Sequence, residues 1–188
     1  MSDTLLLITD IWGQHASFDP FIAELNLRFG SVQVLDPYAG QRFAFRDEAQ
    51  AYEYFQRRCS PAVYQQKLQA LIEQAPSGSA LLAFSAGANA AWPLLSTPLG
   101  QHLGKVALIY GSQIANDSER RPLCPTRLLL CRDDPGVTEP TTALIQHSQL
   151  TLTAQPHGFC NPRSPNHRAE PAQQLLGPIL NWLAQPNA

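Results

Sequence analysis

The sequence predicts an open, doubly wound α/β fold: a mostly parallel six-stranded sheet with helices on both faces. Three observations carry that expectation. Six short apolar runs of strand length recur along the chain, the first of them, Leu5–Thr9, reading as a buried strand. Amphipathic stretches with helical spacing lie between them, the pattern of a parallel sheet whose crossovers are helices. The 188 residues, 44% of them hydrophobic, are enough for one such core and little more.

The elements follow in order. Leu5–Thr9 reads as a buried strand, and Phe18, Phe21, Ile22 and Leu25 then fall at i, i+3, i+4 and i+7 on one helical face. Ser31–Leu35 is a second strand ending at Asp36-Pro37. Two helices are expected over Arg46–Arg58 and Pro61–Gln74, the second with Tyr64, Leu68, Leu71 and Ile72 as its apolar stripe. After the turn at Pro76-Ser77-Gly78, Ala80–Phe84 is a third strand. A small-residue helix runs from Ala86 to about Ser96, and Pro93 inside it predicts a kink or a shortened helix. Lys105–Tyr110 and Thr126–Cys131 are the fourth and fifth strands. A helix around Thr138–His147 leads to a sixth strand, Leu150–Ala154. The last helix covers Ala172–Ala184, where Gly177-Pro178 predicts a kink or a later start. No repeat or low-complexity segment interrupts the pattern, so residues 1–188 are expected to form one domain.

Composition narrows the function classes. Thirteen basic residues (11 Arg and 2 Lys) against 15 acidic ones give a net charge of −2. That leaves no basic footprint for nucleic acid. Charged residues are 15% of the chain, below the roughly 25% of an average soluble domain. Cys59, Cys124, Cys131 and Cys160 form no C-x-x-C pair, so neither a zinc ribbon nor a thioredoxin motif is present, and four reduced thiols are expected. The N-terminal run Leu5–Ile8 lacks a basic start and is too short for a signal peptide or a membrane span. The expectation is a cytoplasmic protein with no membrane or nucleic-acid partner, no metal and no cofactor.

The sharpest local feature is Ala83-Phe84-Ser85-Ala86-Gly87, at the join of a predicted strand and helix. A nucleophile on such a sharp turn needs small residues two before and two after it. Ala83 and Gly87 meet that demand, with Ala standing where Gly is usual. The backbone N–H of Ala86, at the helix N-terminus, is then available to an oxyanion. A carboxylate and a His must follow in that order. Arg132-Asp133-Asp134-Pro135 follows the fifth strand and Pro156-His157-Gly158-Phe159 the sixth, so Ser85, Asp134 and His157 stand in sequence as nucleophile, acid and base, with Asp133 the rival acid. His15, His102, His147 and His167 fall in loops or at helix ends and are expected in surface or capping roles. Thr9-Asp10-Ile11-Trp12-Gly13 follows the first strand, where a second oxyanion donor belongs. The backbone N–H of Ile11 is the candidate, and Trp12 a pocket wall.

These segments, with Leu35-Asp36-Pro37-Tyr38, Tyr110-Gly111 and His157-Gly158-Phe159-Cys160-Asn161-Pro162, resemble the dienelactone hydrolase family of α/β hydrolases over most of the chain. The resemblance implies Ser85, Asp134 and His157 as the triad and Ile11 and Ala86 as oxyanion donors. It also places Asp10, Tyr110, Phe159 and Arg163 beside Trp12 at the substrate pocket. Arg163 and Arg132 are the candidates for holding a substrate carboxylate, against a plain surface role. One departure is chemical: the family's namesake uses Cys where this chain has Ser85. The function expected is a serine hydrolase acting on a small ester, lactone or thioester through an acyl-enzyme. A non-catalytic ligand- or partner-binding protein of the same fold is the alternative, favoured by Ala83. A flavodoxin-like domain would share the alternating pattern but bring no triad together. The connection from Gly111 to Pro125 is about 15 residues, too short for a lid domain, so a shallow, open pocket is expected.

Overall fold

The computed structural model describes residues 4–139, 142, 145 and 148–186. Six strands form one sheet in the order β2-β1-β3-β4-β5-β6. They are β1 (Thr4–Ile8), β2 (Ser31–Leu35), β3 (Ser79–Phe84), β4 (Leu103–Ile109), β5 (Thr126–Cys131) and β6 (Gln149–Thr153). All neighbours pair in parallel. Every strand lies within two residues of its expected place.

The helices whose bounds lie within the described residues are α1 (Asp19–Arg28), α2 (Glu48–Arg58), α3 (Ser60–Gln74), α4 (Ala86–Leu95), α5 (Pro98–His102) and α6 (Ala169–Ala184), with short 3-10 turns at Ala16–Phe18 and Ile114–Asp117. Because side chains alternate along a strand, the sheet has two apolar faces. Leu6, Ile8, Leu81, Ala83, Val106, Leu108, Leu128 and Leu130 pack with residues of α2, α3 and α4. Leu5, Leu7, Ala80, Leu82, Ala107, Ile109 and Leu129 pack on the other side with α1 and α6. Burying each of these Leu or Ile side chains contributes about 1.5–3 kcal/mol.

Three sequence expectations shift. Pro93 neither shortens nor ends α4, which continues to Leu95. Pro178 lies inside α6, which begins earlier than Ala172, at Ala169. In both helices the apolar face outweighs the lost backbone bond: Trp92, Leu94 and Leu95 are buried in α4, and Leu176, Ile179, Leu180 and Leu183 in α6. The short α5 was not expected; Thr97 caps it by accepting from the backbone N–H of Leu99 at 3.3 Å. The helix expected over Thr138–His147 lies mostly outside the described residues.

Lys105, on β4, is buried and donates to the carbonyls of Trp182, Gln185 and Pro186, each at 3.1 Å. A cation there satisfies carbonyls that the end of α6 leaves open. The four cysteines are unpaired thiols. Among the described residues no helix is long and apolar enough to cross a membrane.

Candidate active site

In a sheet of this order the crossovers turn in opposite directions on either side of β1 and β3, and a crevice opens beyond the carboxyl ends of those strands. The residues singled out in the sequence meet there. Ser85 occupies the turn between β3 and α4 with φ 47° and ψ −111°, a left-handed conformation that costs a non-glycine residue about 1–3 kcal/mol. Its neighbours hold it in place. The Ser85 N–H donates to the Ile109 carbonyl at 2.9 Å, and its own carbonyl accepts from Asn89 N–H at 2.8 Å. At Gly87 a Cβ would stand 2.6 Å from the Thr9 carbonyl oxygen and 2.8 Å from the Ile8 side chain, so only glycine lets α4 approach β1 this closely.

Ser85 Oγ lies 2.8 Å from His157 Nε2, and His157 Nδ1 lies 2.7 Å from Asp134 Oδ2. The carboxylate at Nδ1 fixes the tautomer. Nδ1–H donates to Asp134, which leaves Nε2 to accept the Ser85 hydroxyl proton. Of the two rival acids it is Asp134, nearly buried in the turn after β5, that makes this bond, while Asp133 is exposed. The backbone supports both partners. Asp134 N–H donates to Cys131 O at 3.2 Å, and Asn166 Nδ2 donates to His157 O at 2.9 Å. Gly158 turns at φ 80°, with Ser164 Oγ where a Cβ would project. Burial alone would lower the His157 pKa. The hydrogen bond and charge of Asp134, with smaller contributions from Glu48 and Asp10, outweigh it and raise the pKa above 6.5.

Ile11 and Ala86 line the cavity in front of Ser85. Among the described residues no protein acceptor meets either backbone N–H. The Ile11 loop is tied down on three sides: Tyr38 OH donates to Ile11 O at 2.6 Å, Trp12 N–H to Asp10 Oδ1 at 2.9 Å, and Gly13 N–H to Asp10 O at 3.2 Å.

The other residues expected at the pocket stand behind it rather than along it. Trp12 is buried edge-on against Phe45, with the Arg163 guanidinium 5.5 Å over its ring. Arg163 itself donates to the Phe45 carbonyl, so it is spent on packing this layer. Arg132 is exposed and does not line the cavity. Tyr110 is buried with its ring centroid 5.0 Å from that of His157, and Phe159 is fully buried against Tyr110. Asp10 is buried, and burial pushes its carboxyl up to about 6 even though Asn161 and Trp12 donate to it. The Asn161 Nδ2 donation to Asp10 Oδ2, at 2.6 Å, ties the His157 loop to the Ile11 loop.

The cavity in front of Ser85 has a volume of about 700 Å³. It is not the shallow surface expected from the short Gly111–Pro125 connection. The wall comes instead from the β2–β3 crossover, where Glu48, Tyr52 and Gln56 on α2 and Gln65 on α3 face Ser85 and His157. Their i, i+4, i+8 spacing on α2, away from the buried Ala51, was the available signal. His15 also departs from its expected surface role. It is buried beside Phe18, bonded through Nδ1 to Ser17 Oγ at 3.0 Å, and burial lowers its pKa to about 4. His167 and His102 are partly exposed, and His147 lies outside the described residues. Among the described residues no group of three or more His, Cys, Asp or Glu side chains is gathered to hold a metal ion.

No protein-family model and no curated protein sequence matches the chain. Solved structures do. A structure described as a dienelactone hydrolase from Klebsiella pneumoniae superposes with a TM-score of 0.72 at 13% identity, covering 98% of this chain and 87% of that one. This is the α/β-hydrolase fold. A dienelactone hydrolase-like promiscuous phosphotriesterase from metagenomic libraries gives 0.65 at 19% identity, with 96% of this chain and 85% of that one covered. A Paleococcus ferrophilus monoacylglycerol lipase gives 0.63 at 11% identity, covering 96% and 93%. The likeness to dienelactone hydrolase-like proteins read from the motifs therefore extends to the backbone along nearly the whole chain.

Proposed function

We propose that this α/β-hydrolase-fold protein is a serine hydrolase that cleaves small esters, lactones or thioesters through an acyl-enzyme. The observation that carries the reading is the unbroken chain of hydrogen bonds from Ser85 Oγ through His157 to Asp134, opening onto a cavity large enough for a small substrate. A neutral serine hydroxyl is a weak nucleophile, so His157 Nε2 takes its proton as Oγ forms a bond to the carbonyl carbon. The carbonyl π electrons move onto oxygen, and the N–H groups of Ile11 and Ala86 receive the oxyanion. When the tetrahedral intermediate collapses, the bond to the leaving oxygen or sulfur breaks and His157 returns the proton to it. Water, deprotonated by the same imidazole, then releases the acid and restores Ser85. Asp134 holds the tautomer and stabilises the imidazolium throughout.

A fluorophosphonate activity probe tests this directly. It should label the folded protein at Ser85, located by peptide mass, and Ser85→Ala should take no label. A folded protein that stays unlabelled, and that leaves p-nitrophenyl esters of every chain length untouched, would make this a ligand-binding member of the fold instead.

The pH profile is a second test. Only neutral His157 can accept the proton, so kcat/KM should fall as pH drops through a pKa above 6.5. Asp134 is the main group raising that pKa, so in Asp134→Asn the residual activity should have its inflection at lower pH. An inflection at or above the wild-type position would separate Asp134 from His157.

A further inference from the structure

Resting on the hydrolase reading, we infer that the site selects substrates carrying a positively charged group, an ammonium for example, and disfavours those carrying a carboxylate. The juxtaposition behind this is Glu48 and Tyr52, one turn apart on α2, on the same cavity wall that faces Ser85 and His157.

Three observations meet there. First, among the described residues lining the cavity there is no Lys and no Arg. The other polar lining side chains, Gln56, Gln65, Asn89, Ser112 and Gln113, are neutral, and Asp134 is committed to His157. Second, Glu48 has no cationic partner among the described residues, whereas its neighbours on and before α2 do: Asp47 pairs with Arg46 and Glu53 with Arg57. Asp47 further spends a carboxylate oxygen capping α2, accepting from Gln50 N–H at 2.8 Å. Glu48 is the carboxylate left facing the cavity. Third, its charge reaches the reaction centre, since it is among the groups that raise the His157 pKa.

Tyr52 is 55% exposed and presents an aromatic ring at the same rim. A carboxylate beside an aromatic ring is the pairing that recognises ammonium groups, by charge attraction and by cation–π contact. Glu48 repels a carboxylate, and the described lining holds no Lys or Arg to offset that repulsion. The Arg side chains expected to hold an anionic substrate are placed elsewhere: Arg163 is tied to Phe45 and Trp12, and Arg132 is exposed and off the cavity, while Arg57 and Arg58 line a separate cleft against Tyr38 and Lys67.

The test uses three p-nitrophenyl esters matched in size: 4-(trimethylammonio)butanoate, its neutral carbon isostere 5,5-dimethylhexanoate, and the glutarate monoester. At low ionic strength kcat/KM should be at least tenfold higher for the cation than for the isostere, and at least tenfold lower for the carboxylate. In Glu48→Gln the cation-to-isostere ratio should fall to within threefold of one, and in Tyr52→Leu it should fall part of the way. Glu53→Gln removes a charge from the same helix outside the cavity and should leave the ratio where it was. Raising the salt to 0.5 M should narrow the wild-type ratio. Turnover of the isostere with a ratio near one in the wild type, or a ratio that Glu48→Gln leaves intact, overturns the charge selection alone. An inert protein whose Ser85 also resists the fluorophosphonate probe overturns the hydrolase reading, and this inference with it.

Discussion

His157→Ala is expected to lower kcat for ester hydrolysis by about a million-fold while leaving the protein folded, and Asp134→Asn by about ten-thousand-fold. The size follows from what each group does. Without His157 the Ser85 hydroxyl must lose its proton to water as it attacks, and the leaving group departs as an unprotonated anion. With Asn at position 134 an amide faces Nδ1, so the ring can turn its lone pair the wrong way and Nε2 no longer accepts from Ser85. Because the three residues act in one proton path, Ser85→Ala/His157→Ala should be no slower than either single variant. KM should move little, since the lining of α2 and α3 is untouched. Stopped assays with an active-site titrant, alongside thermal melts to show retained folding, read all of this. Losses that multiply in the double variant would mean that the two side chains do separate work.

Gly87→Ala should cost about 1–3 kcal/mol of stability and depress activity as well, although residue 87 touches no substrate. The added methyl group would stand 2.6 Å from Thr9 O and 3.0 Å from Ile8 O. Both obstacles are backbone, so neither can swing aside like a side-chain tip. Either α4 withdraws from β1 or the end of β1 bends. The first displaces the Ser85 turn and the N–H of Ala86. The second displaces the loop that leads through Asp10 to Ile11. In a chain of this length the melting temperature should drop by about 2–4 °C per kcal/mol lost. A melt unchanged by Gly87→Ala would show that α4 and β1 have slack in this region.

Most of the frame was legible because it rests on period and spacing. Strands buried on both faces read as apolar runs, and β1 and β3 fall within one residue of where the runs place them. The chain order of Ser85, Asp134 and His157, each just past a strand, was also legible, since the carboxyl ends of parallel strands lie on one edge. The choice between Asp133 and Asp134 was not, because adjacent residues in a turn point apart and only the fold says which faces His157. The cavity wall escaped for a similar reason. Glu48, Tyr52 and Gln56 sit on the polar side of an amphipathic helix, which reads in sequence as a solvated face. What turns it into a lining is the seat of α2 at the crevice, a consequence of packing. His15 and the Asn161–Asp10 contact, which spans 151 positions, depend on pairings that no local pattern encodes.

The sheet order assigns the parts of the site unequal endurance. Ser85 hangs from β3, which is clamped between β1 and β4, whereas His157 follows β6, the last strand, held on one side by β5 and largely exposed along its length. Opening the edge costs less free energy than melting the centre. On warming, the imidazole should therefore part from an otherwise intact serine turn, and the temperature at which turnover dies should mark the fraying of one outer ribbon rather than the collapse of the globule.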